Sequence, residues 1–292
     1  MTEPAAFVTG KTCMITGATS GIGQATAMAL AGQGAQLILV CRDRSRGERT
    51  VAEIAAQTGN RTIELMLADL ASQQSIRALA AEFLATDRPL HVLINNAGVV
   101  NLSRKVTVDG LEEVFAVNHL GYFLLTNLLL DRLKASAPAR IVNVASDAHK
   151  IGGMNFDDLQ AERRYRTMKV YGQSKLANIM FTYELARRLE GSGVTVNCLH
   201  PGAVATGLGK NNGAWAQAII KLLGTFFRTP ENGAATSIHL AASPALAGVS
   251  GQYFSDCKPR RSSKLSYDEA AQRRLWEISE RLTGLGGGAR DV

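Results

Sequence analysis

Tyr171 and Lys175 stand four positions apart in "VYGQSKLANIMF", the stretch that begins at Val170. On a helix this spacing puts a phenol and an ammonium on one face, a turn apart. The ordinary reading is a solvated helix edge, since both residue types are common. The chemical reading is an acid beside its tuning charge. A carbonyl that accepts a hydride becomes an oxyanion, which must be protonated as it forms. An acid whose pKa lies near the working pH does this best. A free tyrosine titrates near ~10, and a cation one turn away favours the phenolate and pulls that value down. A shift of about three units corresponds to ~4 kcal/mol, which needs a partly desolvated ammonium and further positive charge nearby.

The elements that must hold such a pair follow from the pattern of apolar runs. Six short strand candidates, "KTCMIT", "AQLILVC", "TIELMLA", "HVLINN", "ARIVNVAS" and "GVTVNCLH", alternate with helical stretches such as "IGQATAMALAGQG", "SQQSIRALAAEFLATD" and "LEEVFAVNHLGYFLLTNLLLDRL". Continuous apolar strands separated by helices predict an α/β fold: a single Rossmann-type, doubly wound parallel sheet of about seven strands with helices on both faces. Ligands in such sheets bind beyond the carboxyl ends of the strands, so the residues just after each strand carry the function.

The loop after the first strand is "TGATSGIG", in which Gly17, Gly21 and Gly23 lead at once into a helix. Glycines there permit a tight turn and let the backbone approach a pyrophosphate resting on the helix N-terminus. The strand before and the helix after supply the context that a glycine-rich loop needs to be read as nucleotide-binding. The end of the second strand then bears on the cofactor. A carboxylate there would accept from a ribose 2′-OH and repel a 2′-phosphate. This chain has Cys41 at that point, followed by Arg42, Asp43 and Arg44. The Arg42 guanidinium can fork onto a phosphate, which favours NADP over NAD. Asp43 argues the other way, but its place suits a helix cap or an arginine pair. Arg44 and Arg46 either extend the phosphate cradle or face water. Asp69, after the third strand, is a candidate for an adenine amino group or a helix cap. Ala97 and Gly98 in "NNAG" let the chain pass close to a cofactor.

Composition narrows the class. The 292 residues are 46% hydrophobic and 20% charged, enough for a large core, and no repeat or low-complexity linker divides them. One domain spanning 1–292 is expected, with a disordered tail at about 285–292, "LGGGARDV". The net charge of +7 falls in local clusters at 41–49, 162–166 and 258–261, none with interleaved aromatics, so nucleic acid is not an expected partner. Cys13, Cys41, Cys198 and Cys257 share no C-x-x-C spacing, no metal site is expected, and the first three lie in or beside apolar runs as small buried hydrophobes. The N-terminus lacks the basic and apolar regions of a signal peptide. No uninterrupted run of about 18 apolar residues occurs, so a cytoplasmic chain with no membrane span is expected.

Taken together and in order, "TGATSGIG", "NNAG", the serine of "VNVASDAH", "YGQSK" and "HPGAVAT" resemble the short-chain dehydrogenase/reductase family, over about Lys11 to Leu285. "CRDRSRG", "VNHLGYFLLTNLLLDRLK", "YGQSKLAN" and "GQYFSDC…RRLWEISERLTGL" narrow the resemblance to its retinol-dehydrogenase-like branch. Membrane-bound animal members of that branch carry an N-terminal hydrophobic anchor, and none is expected here. The resemblance implies Tyr171 as acid in reduction and base in oxidation, with Lys175 also holding ribose hydroxyls. It implies Ser146 as the donor to the substrate oxygen and Asn118 as the fourth catalytic residue, helping to hold a water that relays protons to the lysine. Implied cofactor contacts are Gly17, Thr19, Ser20, Gly21, Ile22, Gly23, Arg42, Asp69, Leu70, Asn96, Ala97, Gly98, Tyr171, Lys175, Pro201, Gly202 and Val204, with Thr206 as the hydroxyl for the nicotinamide carboxamide. His149 is read as a structural or pocket histidine.

Trp215, Ile219, Leu222, Leu223 and Phe226 form one apolar helical stripe where the family places its substrate lid, here about 203–229. An apolar lid points to a lipophilic carbonyl or alcohol substrate, retinal-like or another hydrophobic aldehyde or ketone. A core-packing helix or an oligomer contact would show the same stripe. Rival readings are the same enzyme using NAD and a non-catalytic nucleotide-binding scaffold. The family implies a possible homodimer or homotetramer.

Overall fold

The computed structural model describes residues 6–202 and 228–285. The expected lid and tail lie almost entirely outside the described residues, as do Val204 and Thr206. The strands are β1 (Thr12–Thr16), β2 (Gln36–Cys41), β3 (Ile63–Leu67), β4 (Val92–Asn95), β5 (Ala139–Val144), β6 (Val194–His200), β7 (Tyr253–Ser255) and β8 (Lys258–Arg260). They form one sheet in the order β3-β2-β1-β4-β5-β6-β7-β8, parallel throughout except for the β7–β8 pair. The chain starts in the middle, winds outward to β3, then returns beside β1 and winds the other way. The crevice between β1 and β4 is therefore the switch point where a ligand fits.

All six strands read from the sequence are present, and the sheet has eight strands among the described residues where about seven were expected. The additions, β7 and β8, are three residues each, too short to carry a readable period. β8 is an exposed edge strand with Pro259 in its middle, a residue tolerated where no neighbour needs its missing N–H. Asp256 and Cys257, with φ of 54° and 58°, make the tight turn between the two strands.

The helices are α1 (Gly21–Gly32), α2 (Arg44–Thr58), α3 (Gln73–Leu84), α4 (Glu113–Ala135), α5 (Thr167–Arg188), α6 (Pro230–Ala242) and α7 (Glu269–Thr283). α1 packs against α2 and α6 on one face of the sheet, while α3, α4, α5 and α7 cover the other. Strand side chains alternate between two cores. Cys13, Ile15, Leu37, Leu39 and Ile94 face Leu30 and Leu240, whereas Met14, Ile38, Val40 and Leu93 face Phe123, Leu129 and Phe181. Cys13, Cys41 and Cys198 are buried free thiols, as their apolar flanks predict.

α4 is long and apolar enough to cross a membrane, yet 78% of its apolar window is buried inside the fold, the pattern of a core helix. It contains a π-turn at Ala116–Leu120, closed by the Gly121 N–H donating to the Ala116 carbonyl five residues back. A π-turn inserts one residue into the helical ladder and re-aims the side chains around it. Asn118 lies in that turn.

Candidate active site

The sequence places glycines where the loop after β1 meets α1, and the structure shows why no larger residue would do. Gly17 has φ of +67°, and a Cβ on it would come within 2.8 Å of the Ala97 Cα. A Cβ on Gly23 would come within 2.3 Å of the Gly17 carbonyl oxygen. The chain therefore folds back on itself tightly enough to expose the first-turn amides of α1, which starts at Gly21. Ser20 occupies the cap position of α1 without using its side chain to cap it. Its hydroxyl and that of Thr19 border the cleft with Gly21 and Ile22.

Asn96 ties this loop to the next strand end. Its Nδ2 donates to the carbonyls of Thr16 at 2.8 Å and Gly17 at 3.2 Å, while the Thr16 hydroxyl accepts from the Asn96 amide. The Tyr122 hydroxyl donates to the Ala97 carbonyl at 2.7 Å, pinning the small residues Ala97 and Gly98 against the cleft. Asp69 borders the cleft and its carboxylate accepts from the Ala71 amide; it is not the helix cap offered as its alternative, because Ser72 caps α3. Leu70 is buried beneath it.

At the end of β2, the Asp43 carboxylate caps α2 by accepting from the Arg46 amide at 2.9 Å. That is the structural use expected for it. Arg42 and Arg46 are both exposed and border the cleft, whereas Arg44 turns toward Glu48 at 3.8 Å. Arg46 had no better standing than Arg44 in the sequence. Once Asp43 caps α2, both lie in its first turn, Arg44 at the first position and Arg46 at the third, so they leave the helix in different directions.

The chemistry-bearing residues converge at the ends of β5 and β6. Ser146 follows β5, borders the cleft and accepts from the Ala148 amide at 3.2 Å, so it is both a turn cap and a cleft hydroxyl. His149 is fully buried, with Nδ1 2.7 Å from the Ser146 carbonyl and Nε2 accepting from the Ser263 amide at 3.0 Å. With Nε2 accepting, the neutral ring carries its proton on Nδ1 and donates to Ser146, which makes His149 a structural histidine, as expected. Pro201 and Gly202 border the cleft after β6. The left-handed φ of +85° at Gly202 brings the backbone against the Arg228 side chain.

Tyr171 and Lys175 lie on one face of α5 and both reach the cleft. Lys175 is only 2% exposed, and its Nζ donates to the Val144 carbonyl at 2.9 Å. It lies 5.7 Å from the centroid of the Tyr171 ring. Asn118 sits just behind: Oδ1 accepts from the Val99 amide at 2.7 Å, and Nδ2 donates to the Val99 carbonyl and the Ser174 hydroxyl. Its side chain is thus spent holding the strand-end loop beside Lys175. Asn118 is thus a buried core asparagine set in the π-turn of α4.

One expectation is corrected. The sequence predicts that Lys175 lowers the Tyr171 phenol. In the structure, burial pushes Tyr171 up to about 12, against a smaller downward pull from its hydrogen bond with Ser146. Burial also brings Lys175 down to about 7. Burial therefore dominates at both groups, and only the Ser146 hydrogen bond opposes it at the phenol.

All the sequence-predicted residues within the described range except Asn118 border one cleft of about 550 Å³. Sequence reasoning did not single out Val99, Val100, Met168 and His200, which border it too. Val99 and Val100 are loop residues, His200 ends β6 and Met168 lies in the first turn of α5; none has a motif of its own. His200 directly precedes Pro201 in the quoted "HPGAVAT".

A doubly wound sheet whose switch-point crevice holds a glycine-bent helix start and a Tyr–Lys face defines a dinucleotide-binding oxidoreductase. Comparisons with known proteins agree. The family model described as short chain dehydrogenase matches residues 11–217. Retinol dehydrogenase 14 from Homo sapiens is 50% identical over 94% of this chain and 87% of its own length. A structure described as an uncharacterised protein from Mycobacterium Paratuberculosis superposes with a TM-score of 0.77 at 33% identity, covering 97% of this chain and 96% of that one. The Pseudomonas aeruginosa RhlG/NADP active-site complex gives a TM-score of 0.68 at 27% identity, covering 85% and 94%. The chain belongs to the short-chain dehydrogenase/reductase family, in its retinol-dehydrogenase-like branch.

Proposed function

We propose that the protein is an NADP(H)-dependent oxidoreductase interconverting a lipophilic carbonyl compound and its alcohol. The observation that carries this reading is a single cleft with Tyr171, Lys175 and Ser146 at one end and Arg42 and Arg46 at the other, where the strand ends in Cys41 instead of a carboxylate. The site fits the cofactor on its own terms. The Gly17–Gly23 cradle leaves no room for a Cβ, the amides at the start of α1 suit a diphosphate, and the two guanidiniums suit a 2′-phosphate.

A bound nicotinamide dinucleotide supplies or accepts the hydride. Everything else falls to the protein. The Ser146 hydroxyl donates to the substrate oxygen and stabilises the charge that develops there. The Tyr171 hydroxyl delivers the proton in reduction and takes it back in oxidation. Lys175 holds ribose hydroxyls and shares its proton with the tyrosine, and Asn118 fixes the loop at Val99 against it. A lipophilic substrate is supported by Val99, Val100 and Met168 at the cleft and by the name of the retinol dehydrogenase relative.

The test is a fluorescence titration of the purified protein with NADPH and NADH at one fixed salt concentration. NADPH binding about tenfold tighter or more supports the assignment and leads to a screen of hydrophobic aldehydes and ketones. NADH binding as tightly or more tightly transfers the cofactor assignment to NAD. Failure of both to bind points to a scaffold without this chemistry.

A further inference from the structure

At the opposite end of the sheet, where the strands begin, lies a second cavity of about 910 Å³. It is bordered by the first residues of β5 and β6 and by the loop before β7. The proposed chemistry does not use this cavity.

Arg140, the second residue of β5, borders it and is only 5% exposed. Its Nη1 donates to the carbonyls of Leu240, Ala241 and Ser243 at 3.1, 3.2 and 2.9 Å, closing the C-terminal end of α6. Among the described residues, Nε and Nη2 have no hydrogen-bond partner. These two nitrogens form one edge of the guanidinium and present two parallel N–H donors, the fork that matches a carboxylate. The guanidinium carbon lies 3.9 Å from the centroid of the Phe7 ring, and the Lys11 Nζ lies 3.5 Å from the same centroid. Two cations therefore share one phenyl ring, and among the described residues neither has an ion pair. Lys11 is lowered by burial and then by the charge of Arg140, while Arg140 itself is lowered by burial. Of the two acids bordering the cavity, Glu269 is already paired with Arg273, and Glu190 is the other. The remaining wall includes the apolar surface of Pro138, Val194, Ala247 and Tyr183.

Arg140 is held almost out of water, yet its Nε–Nη2 edge is not among the buried unpartnered atoms, so it keeps two donors accessible with no counter-ion to fill them. We propose that this cavity binds an amphipathic carboxylate, its head on the Nε–Nη2 edge of Arg140 beside Lys11 and its apolar body along Pro138, Val194 and Ala247.

The experiment is isothermal titration calorimetry of the full chain with decanoate, with decanol as the neutral match, at one salt concentration. Saturating NADPH is added so that the cleft is occupied where it binds cofactor. Decanoate is expected to bind and decanol to bind at least about tenfold more weakly. Lys11→Ala should weaken decanoate several-fold while leaving oxidoreductase activity unchanged. Arg140→Lys keeps a cation for the α6 carbonyls but lacks the fork, and should weaken it about tenfold. Thermal melts of both variants check that they fold. Equal binding of decanol would reduce the cavity to an apolar groove. Decanoate binding unchanged in both folded variants would place it elsewhere, and no decanoate binding at all would overturn the site. None of these outcomes depends on the cofactor assignment.

Discussion

At the β2 end of the cleft, Arg42 and Arg46 are exposed and form no ion pair among the described residues. At the β5–α5 end, Lys175 is buried against the Val144 carbonyl, Asn118 grips Val99, and His149 holds Ser146 from behind. One end is a set of free charges on a scaffold, and the other is a set of groups fixed by the core. Under the proposed function, the difference separates two tasks. Proton transfer demands positions good to a fraction of an ångström, which only packed, hydrogen-bonded side chains supply. Telling one cofactor from another by a single phosphate needs charge and reach, which exposed arginines supply at little structural cost.

If that division is right, substitutions at the two ends should fail in different ways. The largest effect is expected for Tyr171→Phe. Carbonyl reduction should fall by roughly 10³-fold, within the range for a lost general acid. Cofactor affinity by fluorescence titration should stay within a few-fold. A variant retaining a tenth of the wild-type rate would break the assignment of Tyr171.

Lys175→Met should lose activity by roughly 10²-fold or more and yet melt at a higher temperature at pH 7. Because Lys175 is lowered to about 7 in the fold, the native state binds fewer protons than the unfolded chain between pH 7 and its ordinary value near ~10.4. The stability linked to this group is present above the unfolded value and lost as pH falls through about 7. Wild-type stability should therefore rise with pH across that window, and the methionine variant should show a flatter curve in denaturant titrations. A variant less stable than wild type at pH 7 would show that the buried ammonium is better solvated than the geometry implies.

At the other end, Arg42→Ser and Arg46→Ser should each weaken NADPH by about tenfold and leave NADH nearly unchanged, with no shift in melting temperature. A loss of both cofactors together would mean that these arginines shape the site instead of reading the phosphate.

The smallest effect concerns a buried histidine with no part in the proposed chemistry. His119 is fully buried and lowered to about 3 by desolvation. Its folded value lies below the unfolded ~6.5, so its contribution is present above that value and lost as pH falls toward about 3. Stability should drop by at most ~1.4 kcal/mol per pH unit through this window. His119→Gln should flatten that slope without changing the cofactor preference.

Much of this molecule was legible before folding. The six long strands are apolar runs bounded by helix patterns, and the glycine loop, "NNAG", Ser146 and the Tyr171–Lys175 pair sit where a doubly wound sheet puts its ligand. Topology alone brings them to one crevice. Three matters needed the tertiary structure. β7 and β8 are set by pairing to neighbours, since three residues carry no period of their own. Arg46 is separated from Arg44 only by which side of the first turn of α2 faces the cleft, which is fixed once Asp43 sets where that helix starts. The proton affinities of Tyr171 and Lys175 within the protein follow burial, because i, i+4 spacing fixes which groups are neighbours, while burial decides which of them can stay charged.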